Sequence, residues 1–130
     1  MTRVSEEVAN LVTSEPLMAH LATCSDGRPH VAPVWYNYDA DEEVVEILTT
    51  GRKLANIREN PRVALSIQKD VDGQAQWRVT LLGTASVVDD DDAKREATRR
   101  INTKYGADES AWPENRLVKI DIGTATSRTY

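Results

Sequence analysis

The 130-residue chain has no phenylalanine, a single cysteine (Cys24), two histidines (His20 and His30) and six glycines. One cysteine excludes an internal disulfide framework and a multi-cysteine zinc site, and it fits a reducing compartment. No metal site is expected. No apolar run approaches the roughly 18 residues of a membrane-spanning helix. Met1-Thr2-Arg3-Val4-Ser5-Glu6-Glu7 also lacks the basic-then-apolar order of a signal peptide, so the expectation is a soluble, cytoplasmic protein with no membrane partner. Positive charge is short as well. Lys and Arg number 16 against 21 Asp and Glu, a net charge of −5, which argues against a nucleic-acid partner. An apolar fraction of 40% closes one core at this length, so one domain over residues 1–130 is expected.

What is present reads mainly as strands. Val4, Val8, Leu11 and Val12 recur at helical spacing behind Ser5 and predict an N-terminal helix over about 5–15, stopped by Pro16. Leu17 to Ser25 and Pro29 to Tyr38 flank the turn Ser25-Asp26-Gly27-Arg28 and predict two antiparallel strands. Val44 to Thr49 has the β-branched content of a third. A two-turn helix carrying Leu54 and Ile57 follows Gly51 and ends at Asn60-Pro61. Val63, Leu65 and Ile67 alternate with polar or small residues, and beyond Asp70-Val71-Asp72-Gly73 a long strand runs from Ala75 to Val88. Asp89 to Asp92 start a helix through Ala93, Ala97, Ile101 and Tyr105, closed by Gly106. Val118, Ile120 and Ile122 form a last strand, and Thr124 to Tyr130 is expected to be a polar tail. This order predicts a mainly β fold with small helices: a six-stranded antiparallel barrel over about 17–123.

Chemistry concentrates just after the third strand. Arg52, Lys53, Arg58 and Arg62 face only Glu59 in sequence, a local +3 that leaves −8 on the rest of the chain. Basic side chains at a strand-to-helix junction suit a phosphate, because the first backbone amides of the helix lack partners there. Thr49 and Thr50 add hydroxyl donors. Arg58 and Arg62 are equally explained as solvated helix and strand residues.

The stretch Thr49-Thr50-Gly51-Arg52-Lys53-Leu54-Ala55-Asn56-Ile57-Arg58-Glu59-Asn60-Pro61-Arg62-Val63, preceded by Ala22 to Trp35, resembles the pyridoxamine 5′-phosphate oxidase-like FMN-binding split barrels, including their deazaflavin-dependent reductase branch. The resemblance implies a homodimer with the cofactor at its interface and a small-molecule substrate. It implies an oxidoreductase that uses FMN, or alternatively a deazaflavin, for hydride transfer; the other readings are a non-enzymatic flavin-binding or sensor protein and a barrel that has lost the cofactor and uses its groove for another ligand. Arg52 and Lys53 then fall where the family grips the cofactor phosphate, and Thr49 where a strand end touches the flavin or its phosphate. His30 to Trp35, with Val34 and Trp35 as apolar wall, falls along the ring, and Arg78 where a polar side chain reaches it. No side chain need act as general base, since the reacting atom belongs to the cofactor.

The remaining residues have plainer readings. His20 sits inside a strand, and Cys24 reads as a small buried thiol without a base partner. His30 follows the turn near the barrel mouth, a place for ligand contact. Trp77 flanks a ring or packs in the core or interface, and Trp112-Pro113, in the loop before the last strand, covers the barrel end or lids a neighbouring site. The four aspartates lack the alternating spacing of a calcium loop.

Overall fold

Two Asp-Gly pairs set the frame. In the computed structural model, which describes residues 3–130, Asp26 and Gly27 take φ of 54° and 73°, and Asp72 and Gly73 take 51° and 78°. Met1 and Thr2, counted in the expected domain and leader reading, lie outside the described residues. Positive φ at both central positions gives the two-residue turn whose twist matches antiparallel strands. The first pair joins β1 (Ala19–Ser25) to β2 (Arg28–Val34). β3 (Asn37–Asp39) pairs with β4 (Val44–Thr49), and the second Asp-Gly joins β5 (Arg62–Val71) to β6 (Gln74–Val88). β7 (Arg116–Thr129) lies between β6 and β4, giving one antiparallel sheet in the order β2-β1-β5-β6-β7-β4-β3.

The strands number seven rather than six, because the run from Pro29 to Tyr38 is two strands. It breaks at Trp35-Tyr36, where the chain passes from one edge strand, β2 paired with β1, to the other, β3 paired with β4. Val34 and Asn37 are three residues apart, a reach of at most about 11 Å. The two edges are therefore tied covalently within that distance, and the sheet must curl into a barrel that no hydrogen-bond ladder closes. The fold is a split barrel, and the split lies at Trp35-Tyr36. Pro29 and Pro33 are tolerated in β2 because it is an edge strand.

The expected polar tail is also strand. Thr124 to Thr129 continue β7, paired with β6 as far as Trp77 opposite Thr129. β6 is 15 residues long, and this extension satisfies the backbone of its first half. The register shifts at Leu82/Gly83, where a side chain on residue 83 would collide with the backbone carbonyl of Asp121.

Three helices cover the barrel: α1 (Glu6–Val12), α2 (Gly51–Glu59) and α3 (Asp91–Lys104). α1 is shorter than expected, since Thr13 and Ser14 turn their hydroxyls onto the carbonyls of Ala9 and Leu11 and end it before Pro16. Val8 and Val12 of α1 and Leu54 and Ile57 of α2 join Leu21, Ile47, Leu65, Ile67, Val79 and Ile120 in one core. Trp77 is buried in that core. α3 packs against β3, β4 and β7, and the buried Glu46 of β4 holds it there, accepting from Arg100 Nη2 and Asn37 Nδ2, each at 3.0 Å. Among the described residues no helix is long and apolar enough to cross a membrane.

Candidate functional site

The three helix N-termini are built differently. In α1 the Ser5 hydroxyl accepts from the Val8 amide and Glu6 and Glu7 fill the first turn; in α3 the Asp90 carboxylate accepts from the Ala93 amide, with Asp91 and Asp92 behind it. Both satisfy orphan amides and oppose the positive end of the helix dipole. α2 has neither device. Its N-cap, Thr50, makes no side-chain capping bond, its first turn holds no acid, and Arg52 and Lys53 stand there instead. Two cations beside a positive dipole end and free amides are unfavourable for the isolated helix and favourable for an anion.

That N-terminus opens into a cleft of about 280 Å³ at the barrel split. Thr49, Thr50 and Lys53 line one side, Pro33, Val34 and Trp35 at the end of β2 another, and Ile101, Asn102, Trp112 and Asn115 a third; Met18 and Leu48 complete it. Thr49 is buried, its hydroxyl donating weakly to the Thr50 carbonyl at 3.4 Å. Lys53 is half-buried, and no ion pair holds it among the described residues.

The apolar side is an aromatic corner. Trp35 stacks on Tyr105 with centroids 4.7 Å apart and planes 2° from parallel, and Trp112 meets Trp35 edge-on at 5.5 Å and 79°. Hydrogen bonds fix this wall from behind: Tyr105 donates to the Leu17 carbonyl at 2.6 Å, and Lys104 Nζ donates to the Tyr36 carbonyl at 2.8 Å. Burial pushes the Tyr105 phenol up to about 12, against the opposing pull of the Tyr36 amide, so Tyr105 remains a neutral donor. Burial raises Tyr36 too, with Tyr105 adding to it.

Burial pulls the Lys104 ammonium from 10.5 down to about 8, while the Tyr36 ring, 3.8 Å from Nζ, favours the charge. Between those two pH values the unfolded chain holds more protons on this lysine than the folded chain, so its contribution to stability rises with pH across that window. Relative to Lys104→Met, the wild type is expected to gain stability between pH 8 and 10. Denaturant unfolding of both proteins across that range checks this; a flat difference contradicts it.

Of the residues expected to form a site, Val34, Trp35, Thr49, Thr50 and Lys53 line this one cleft. Arg52 is exposed on the same first turn. His30 lies in β2 opposite Thr23 and is not among the lining residues; its Nδ1 is buried without a partner. Arg78 lies in β6 opposite Gln68 and Arg128, in a separate hollow of about 320 Å³ with Thr80, Thr126 and Ser127. Trp112, expected to cover the barrel end or to lid a neighbouring site, lines the cleft, and Asn102, Asn115 and Met18 carried no sequence signal for it. Their convergence depends on how α3 lies across the split.

The sequence profile of the pyridoxamine 5′-phosphate oxidase family matches residues 4–128. The chain belongs to this family. It is 29% identical over 121 residues, 93% of its length and 84% of the relative's, to an F420H(2)-dependent biliverdin reductase of Mycobacterium tuberculosis. A FAD-binding protein of Mesorhizobium loti superposes with a TM-score of 0.77 at 20% identity, covering 98% of this chain and 96% of that one. An F420 reductase does so with a TM-score of 0.73 at 24% identity, covering 90% and 94%. At these identities the two structures establish the shared fold.

Proposed function

We propose that the chain is an oxidoreductase that binds a phosphorylated flavin, FMN or its deazaflavin counterpart, in the cleft at the barrel split and exchanges hydride with a small organic substrate. One observation carries this reading: the uncapped, acid-free N-terminus of α2 faces the same cleft as the Trp35 wall. An anchored phosphate needs donors not already engaged, and a flat ring needs an apolar face; the residues present fit both. The cofactor, when bound, supplies the hydride chemistry. Lys53, Thr50 and the first amides of α2 would hold its phosphate, Arg52 would add long-range attraction, and Val34 and Trp35 would orient its ring and exclude water. The relative named for F420H(2) favours the deazaflavin form. The absorption spectrum and mass of whatever copurifies, with titrations of FMN and F420, test the reading; failure of both to bind rejects it.

A homodimer belongs to the same reading. Val31, Ala22, Ala64, Leu82 and Thr124 lie directly opposite one another across five strands, and Pro33, His20, Ser66, Thr80 and Thr126 form the next row. Val31 is 65% and Leu82 48% exposed. These two rows carry no carboxylate in a chain of net −5, and such a face suits a second copy of itself. Arg78, on the same face of β6 as Thr80 and Leu82, would then be positioned by the partner's approach, whereas His30 alternates with Val31 and points to the inner side. Ala64→Glu, which sets like charges face to face in the centre, is expected to give a monomer at micromolar concentration; sedimentation showing an unchanged dimer contradicts this interface.

A further inference from the structure

Trp112 breaks two backbone rules. Its φ is +56°, the left-handed region that side-chain-bearing residues avoid, and it precedes Pro113, which itself favours extended backbone at the preceding residue. It is also 48% exposed, so burial does not repay the strain. The surroundings impose the conformation from both sides. Asn102, buried in α3, donates through Nδ2 to the carbonyls of Asp108 at 2.9 Å and Ala111 at 3.3 Å, and Lys94 Nζ donates to the Pro113 carbonyl at 2.6 Å. The Asn115 amide closes the turn onto the Trp112 carbonyl at 3.1 Å. The carbonyls before and after Trp112 are thus both clamped to α3, and the indole is held out over the cleft at a right angle to Trp35.

Strain maintained by flanking hydrogen bonds, at an exposed aromatic residue on a cleft wall, points to a ligand as its purpose. We propose that Trp112 is a specificity-determining residue that, braced by Trp35, admits a planar conjugated substrate and disfavours a puckered saturated one. Tyr105 stacks on one face of Trp35, the residue assigned above to the cofactor ring, so Trp35 braces Trp112 edge-on. The exposed indole of Trp112 is then the face on which a flat substrate ring stacks, an arrangement aromatic pairs prefer. A puckered ring makes that contact only in part. The lining adds no charge on this side: Met18, Ile101, Asn102 and Asn115 are neutral, so an uncharged ring system is the matched class. This inference rests on the cleft being the reaction site.

The test uses 2-naphthol and its saturated counterpart decahydro-2-naphthol as probes, titrated calorimetrically into the purified protein, Trp112→Gly and Trp112→Phe. The wild type is expected to bind 2-naphthol in preference to the saturated alcohol. Trp112→Phe keeps that preference, and Trp112→Gly weakens 2-naphthol by roughly tenfold, the scale of one aromatic pair plus its buried area. Because glycine is at ease at positive φ, the melting temperature of Trp112→Gly holds or rises. Equal binding of both probes by the wild type, unchanged 2-naphthol affinity in Trp112→Gly, or a melting temperature that falls along with that affinity overturns the proposal. FMN and F420 titrated into the same proteins separate the two readings: loss of every cofactor interaction rejects the cofactor assignment, whereas the naphthol comparison judges Trp112.

Discussion

The Arg52→Ala/Lys53→Ala variant is expected to bind its phosphorylated cofactor at least about 2 kcal/mol more weakly, roughly thirtyfold, because charge-assisted hydrogen bonds contribute about 1.5–3 kcal/mol each. Most of the loss belongs to Lys53, which lines the cleft, and less to the exposed Arg52. The stability of the cofactor-free protein should move the other way. Both cations stand in the first turn of α2, against the helix dipole, and removing each relieves about 0.3–1 kcal/mol. Cofactor titration and thermal melting of the same variant measure the two effects. Unchanged affinity excludes a phosphate at this helix, and a lowered melting temperature would show that the cations serve the fold.

Tyr36→Ala is expected to cost about 3–5 kcal/mol of folding stability, the range for large-to-small changes at a buried aromatic. Tyr36 has no exposed surface, donates to the Val12 carbonyl at 2.5 Å, and carries Lys104 on its ring. It therefore joins α1, the split and α3. Tyr36→Phe keeps the packing but leaves the Val12 carbonyl without its donor, and should cost about 1–2 kcal/mol. Urea unfolding of both variants tests this; a Tyr36→Ala loss below about 1 kcal/mol would mean that the split is not stabilised from within. Since Trp35 and Tyr105 adjoin this residue, the weakened split should also loosen the aromatic wall.

Two places where the chain sacrifices local stability lie on the same cleft. One is the uncapped, cationic start of α2 and the other is the left-handed Trp112. The other two helices start with acidic caps and both tight hairpins turn on Asp-Gly, while Glu43, between β3 and β4, is a further left-handed residue away from the cleft. Departures from local consistency are expected where function outweighs folding.

Much was legible from sequence because it is local physics. The Asp-Gly turns, the β-branched run from Val44 to Thr49, and the short helix between Gly51 and Asn60-Pro61 follow from dihedral preference and periodicity within a few residues. So does the cluster at Thr49, Thr50, Arg52 and Lys53. Tertiary structure decided the rest. That Pro29 to Tyr38 is two strands depends on which edges of the sheet they join, and Thr124 to Thr129 become strand because β6 offers them a partner. Arg78, on the exposed face of β6, and His30, four residues before Val34 in β2, stay outside the cleft, whereas Trp112 and Asn102 enter it because α3 is anchored across the split through Glu46, Tyr36 and Leu17. Those contacts link residues 54 to 88 positions apart, and no periodicity in a single chain encodes such distances. Local pattern specified the phosphate end of the site, whereas long-range packing determined what stands opposite it.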